Sequence, residues 1–137
     1  MEEMCCLFDS PGLRISYDAA NGWLYNQWLG EHNGATVKEG AEAMFACLSR
    51  QPCTKILSDH SLLLGNWQEA AAWMGQQNFV RVAAQGITHV AWVHSPIYAD
   101  RAAMERALFF TKMPWVVIFG DMLSAYNWLQ YCPGCPY

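Results

Sequence analysis

Charge is scarce in this chain, and basic charge scarcer still: 8 Lys and Arg stand against 12 Asp and Glu among 137 residues, a net charge of -4. Phosphate backbones are held by clustered Lys and Arg, and the chain has no such cluster, so nucleic acid is not an expected partner. Long apolar runs are missing as well. Leu62 to Leu64 and Trp115 to Phe119 fall far short of the roughly 20 residues that a spanning helix needs, and no membrane span is expected. The opening Met1-Glu2-Glu3-Met4-Cys5-Cys6 is acidic where a secretory leader is basic, which points to a cytoplasmic protein with reduced thiols. Repeats, linkers and low-complexity stretches are absent too.

What the chain does have is apolar mass, 53% hydrophobic and 14% aromatic residues, among them seven tryptophans. That excludes a disordered polymer and supplies one core at a length suited to one domain, residues 1–137 with a core over about 10–131 and a tail at 132–137. The first clear element is Leu13-Arg14-Ile15-Ser16-Tyr17-Asp18, whose apolar and polar residues alternate at the period of a half-buried strand. Asn21-Gly22 reads as a two-residue type I′ turn, and Trp23 to Leu29 returns as a second strand. Cys5 to Phe8 could add a short strand, with Pro11 and Gly12 interrupting its continuation. Thr36 followed by Glu39 is a capping-box spacing, opening a helix that runs to about Arg50 and stops before Pro52.

Beyond that helix the pattern alternates. Thr54 to Asp59 reads as a strand, Ser61 to Gly65 as a loop, and Asn66 as the cap of a long helix from Trp67 to about Gln85, closed by Gly86. Thr88 to His94 reads as a buried strand ended by Ser95-Pro96, Ala99 to about Phe110 as a helix and Trp115 to Phe119 as another buried strand. Asp121 then caps a last helix to Tyr131. Strands alternating with helices imply parallel crossovers. The expectation is a single-domain α/β sandwich with a mixed four- to five-stranded sheet, its antiparallel part supplied by the N-terminal hairpin.

Ile56-Leu57-Ser58-Asp59, Asn66-Trp67 with Ala70-Ala71 and Trp73, Gly86-Ile87 before Ala91-Trp92-Val93-His94-Ser95-Pro96, and Phe119-Gly120-Asp121 with Ala125 and Trp128-Leu129 form a recognisable series. Over roughly residues 10 to 131 the chain resembles the small bacterial STAS-like proteins, which are grouped with anti-sigma-factor antagonists and with CRAL-TRIO lipid carriers. The resemblance implies a sheet with helices mainly on one face. It also implies a serine, phosphorylated in the regulatory branch, at the start of the helix after the central strand, where added charge switches partner binding. In this chain that place holds Asn66-Trp67, and the nearest hydroxyl is Ser61.

Three groups of residues carry candidate chemistry. Cys132-Pro133-Gly134-Cys135 has the spacing of a redox dithiol or of half a zinc site that Cys5 and Cys6 could complete. It follows a helix instead of opening one, so Cys132 and Cys135 stand as weak metal candidates, and no cofactor is expected. The second group, Asp59, His60, Ser61, Asn66, Trp67, His94, Ser95 and Asp121, gathers at the carboxyl ends of the expected parallel strands, where α/β proteins bind ligands or partners. Asp, His and Ser together suggest a hydrolase, but Ser95 precedes proline and lacks the Gly-x-Ser-x-Gly elbow. Third, Trp23, Tyr25 and Trp28 place aromatic groups on both faces of a hairpin strand expected near a sheet edge. One covered face would leave a surplus, and a homodimer would bury it. The leading expectation is a non-enzymatic regulatory module that binds a protein partner or itself. A carrier of a small apolar ligand is the alternative, and a hydrolase or metal-dependent activity the third.

Overall fold

A computed structural model describes residues 4–132. Its six strands lie side by side in chain order in one sheet: β1 (Met4–Ser10), β2 (Leu13–Asp18), β3 (Trp23–His32), β4 (Lys55–Gly65), β5 (His89–Val93) and β6 (Trp115–Phe119). The first three are antiparallel neighbours, and β3 through β6 run parallel. The mixed α/β sheet matches expectation, but six strands replace the four to five expected. The additional strand is β1, which pairs with β2 from Met4↔Asp18 to Ser10↔Leu13, because Pro11-Gly12 makes a tight turn instead of an interruption.

Parallel neighbours need crossovers, and helices supply them. Helices α1 (Gly34–Arg50), α2 (Ala71–Trp73), α3 (Phe79–Ala84) and α4 (Tyr98–Phe109) contribute Val37, Met44, Leu48, Ala71, Val82 and Met104 to one core with Ile15, Leu24, Ile56 and Val90 of the sheet. Alternate residues of the same strands, Trp23, Leu57 and Ala91, face the other way and pack under Ala125 and Leu129 of α5 (Met122–Tyr131). Most helices are thus on one face, with α5 alone covering the second.

That second cover removes the premise for self-association at the hairpin. β3 lies inside the sheet, Trp23 and Trp28 are only 1% and 5% exposed, and Tyr25 is half-buried with its hydroxyl accepting from Gln27. Trp28 donates through Nε1 to Ser58 Oγ at 3.1 Å. Its ring is so close to α1 that a Cβ on Gly40 would come within 2.4 Å of it, a place only glycine fits. Trp115, expected in a buried strand, is instead 63% exposed on β6, which forms one edge of the sheet.

Local signals are displaced in four places. The β2–β3 turn is a four-residue loop, Ala19 to Gly22, in which Gly22 alone has positive φ, so it is not type I′. Asn33, not Thr36, is the N-cap of α1. Its side chain accepts from Thr36 N and the Thr36 hydroxyl accepts from Asn33 N, a capping box three residues early. Residues 61–65 are not a loop but the second half of β4. The expected helix from Trp67 to Gln85 is present as a helical run, but it starts with a 3₁₀ turn (Gln68–Ala70) and carries a π turn (Met74–Asn78) between α2 and α3. At the π turn Gly75 lies against α4, where a Cβ would sit 2.3 Å from the Ala107 carbonyl oxygen.

Candidate functional site

The candidate region is the end of the sheet where the parallel strands finish. β5 pairs with β4 only as far as Asp59↔Val93, whereas β3 and β4 stay paired to His32↔Gly65, so the two continue as a ribbon past the end of β5. Within this ribbon β4 carries a bulge. Trp28 of β3 stands against both His60 and Ser61, between the pairs Gln27↔Asp59 and Leu29↔Leu62. A bulge re-aims side chains. Here it leaves His60 buried at 2% exposure and Leu63 in the core, while Leu62 and Leu64 point to solvent at 65% and 44% exposure.

Three of the residues expected at this end meet around a fourth that sequence reasoning missed. Asp100, in the first turn of α4, is fully buried. Its Oδ1 accepts from His60 Nδ1 and from Trp67 Nε1, both at 2.8 Å, and its Oδ2 accepts from the Ser95 backbone N–H at 2.9 Å. Burial pushes the Asp100 pKa up, but the hydrogen bond and charge of His60, with the two N–H donors, outweigh it and hold the carboxyl below its ordinary value. Trp28, Trp67 and Trp92 surround the imidazole at 5.5, 6.1 and 6.0 Å between ring centroids. The carboxylate therefore clamps β4, the segment after it and the loop before α4 to one another.

This cluster is built for holding rather than for nucleophilic chemistry. Ser95 is 1% exposed, and its hydroxyl oxygen accepts from Ile97 N–H at 3.0 Å, a local turn that starts α4. His60 Nδ1 is held by Asp100 as the base of a triad would be, but among the described residues no hydroxyl is hydrogen-bonded to its other ring nitrogen. An inner void beside it, lined by Asn26, Ser58, His60, Asn78 and Trp92 among others, measures about 30 Å³, room for a water molecule rather than for an apolar ligand. A larger surface groove of about 440 Å³, lined by Ile87, His89, Met113 and Trp115 among others, lies at the opposite end of the parallel strands.

The remaining expected residues stay apart from the cluster, at the surface. Asp59 Oδ1 accepts from Ser61 N–H at 2.9 Å, and Asn66 Oδ1 accepts from Gln68 N–H, capping the 3₁₀ turn. His94 Nδ1 donates to the Ser95 carbonyl at 2.7 Å. Asp121 caps α5 as expected, accepting from Ser124 N–H and hydroxyl, and these bonds lower its pKa. Where the resemblance puts a phosphorylated serine, the chain has a capping Asn66 and a fully buried Trp67. Cys132 follows α5, its thiol donating to the Leu129 carbonyl, and Cys135 lies outside the described residues. Among the described residues no three His, Cys, Asp or Glu side chains are grouped to hold a metal ion, and no helix is long and apolar enough to cross a membrane.

No protein-family model matches the chain, and no curated protein matches it in sequence. Solved structures do match in shape. A protein of the DUF3478 family with a SpoIIAA-like fold from Shewanella loihica PV-4 is 18% identical, with a TM-score of 0.51 over 90% of this chain and 98% of that one. The anti-sigma factor antagonist SpoIIAA in its unphosphorylated form is 10% identical, with a TM-score of 0.50 over 91% of this chain and 94% of that one. At these identities the likeness is one of fold. The chain has the SpoIIAA-like, STAS-type fold.

Proposed function

We propose that this protein is a non-enzymatic regulatory module that acts by binding another protein at the end of the sheet where β3 and β4 project. The single observation that carries this reading is the ribbon itself. It holds Leu62 and Leu64 out of the core on strands anchored by the His60–Asp100–Trp67 cluster. Ile97 and Tyr98, 39% and 82% exposed, start α4 on the loop that Asp100 ties to the same end. Exposed apolar side chains on a rigid frame lose little entropy on docking, which is what a recognition surface requires. The fold supports the reading, since one of its structural neighbours is an anti-sigma factor antagonist.

A photo-crosslinking amino acid at position 62, compared with one at Val80 on α3, tests this in cells that express the protein. The expected result is a discrete protein adduct from position 62 that disappears when Leu64→Asp and Tyr98→Asp are added, with the circular dichroism spectrum unchanged. Equal adducts from positions 62 and 80, or an adduct indifferent to the two substitutions, would overturn the reading.

A further inference from the structure

We infer that the inner void beside His60 is a hydration site, in which an ordered water molecule bridges the Asn26 amide, the second ring nitrogen of His60 and the Ser58 hydroxyl. The site lies in the core and stands independently of the binding role proposed for the β3–β4 ribbon.

The sheet supplies the polar groups. Asn26 is paired with Ser58 and Ser58 with Trp92, so Asn26 of β3, Ser58 and His60 of β4 and Trp92 of β5 line the void from one face. Asn26, Ser58 and His60 are 3%, 4% and 2% exposed. The Asn26 side chain has a carbonyl oxygen and two N–H donors to satisfy, yet it makes no side-chain hydrogen bond among the described residues, and its Oδ1 is buried without a partner. A buried amide left that way is costly, and water is its ordinary remedy where a void adjoins it.

The neighbours on β4 offer the complementary groups. A carboxylate can only accept, so the bond to Asp100 fixes a proton on His60 Nδ1 and leaves Nε2 without a protein partner. Ser58 Oγ accepts from Trp28 Nε1, and its own O–H is uncommitted. Asn78, also on the wall, is already engaged, donating to Met74 Sδ and accepting from Arg81 Nε. The Asn26 amide, His60 Nε2 and Ser58 O–H together meet the need of a buried water for about two to four polar partners. Water both donates and accepts, so it pairs with Nε2 whether or not that nitrogen carries a proton.

Size and wall chemistry select the occupant. A void of about 30 Å³ admits about one or two water molecules and nothing drug-sized. The rest of its wall, Ala41 and Met44 of α1 with Ile56, Met74, Phe79 and Val90, offers neither a competing donor nor a charge to hold an ion. A void lined only by such residues stays dry; the three polar side chains are what hydrate this one.

Crystallography of the whole chain at high resolution, joined with oxygen-17 relaxation dispersion in solution, tests the site. The expected density is a water within about 3.2 Å of both His60 Nε2 and the Asn26 amide. Asn26→Leu, similar in size but without polar side-chain atoms, is expected to lose that density and to lower the count of long-lived waters by about one. A wild-type void without water density overturns the inference, and so does a count of long-lived waters that is unchanged in Asn26→Leu. Should Asn26→Leu fail to fold by circular dichroism, the wild-type density alone decides.

Discussion

Asp100 carries more of the interior's organisation than any other polar residue at the strand ends. It satisfies donors from three segments, and each donor in turn has its charge or dipole compensated, which is the condition under which a buried carboxylate is tolerable. Removing the charge while keeping the shape leaves His60 and Trp67 facing a weaker acceptor. Asp100→Asn is therefore expected to cost about 3–5 kcal/mol at neutral pH, read from urea unfolding. The pH dependence has a defined sign. The Asp100 pKa is lowered on folding, so its contribution is whole above the unfolded value near about 4 and is lost as the pH falls through the folded value. The gap between wild type and Asp100→Asn should narrow below about pH 4 in the same unfolding series; a gap constant down to pH 2 would contradict the assignment. The sequence placed His60, Trp67 and Ser95 at one end of the sheet but gave no sign of Asp100. An acidic residue in a first helical turn is commonplace, and only burial distinguishes this one.

At the scale of elements, the periodicity that identifies strands and helices was legible and their limits were not. Asn33 and Thr36 illustrate the reason. Thr36 with Glu39 and Asn33 with Thr36 are both capping spacings, and the choice between them is made by where β3 ends, which depends on its pairing with β4 to Gly65. The two assignments give opposite results on mutation. Asn33→Ala should lower stability by about 1 kcal/mol, whereas Glu39→Ala, on the exposed side of α1, should change it by less than about 0.5 kcal/mol. Thermal denaturation of the two variants separates them. Residues 61–65 were misread for a related reason: a bulge at His60 and Ser61 shifts the alternation by one residue, so Leu62, Leu63 and Leu64 look like an apolar loop when they are two faces of a strand. Gly65, at φ 97° with its α-carbon against the His32 backbone, ends that strand where no side chain would fit.

For the molecule as a whole, the decisive fact is which strands are inside. Among the described residues, β3, β4 and β5 have neighbours on both edges and a covered face on each side, while β1 and β6 each have one neighbour. Amide hydrogen exchange should follow that order, with Leu24, Leu57 and Ala91 slowest and Val116 and Ile118 fast in dilute protein. Exchange at Leu57 as fast as at Val116 would contradict that order.

Composition and periodicity by themselves determined an α/β fold with an antiparallel hairpin leading into parallel units, because side-chain alternation and helix spacing are local properties. The resemblance to STAS-like proteins was legible for the same reason, being carried mostly by residues that pack in the core, such as Ile56, Leu57, Ala91 and Trp92. What only the tertiary structure decided is which surfaces are free. Whether Trp23 faces solvent depends on where α5 folds back, a contact between residues a hundred positions apart, whether Trp28 does depends on α1 packing over the other face, and Trp115, which the same rules assigned to the core, is left exposed on the edge strand. Burial is a property of both partners in a contact, and a single strand's sequence records only one of them.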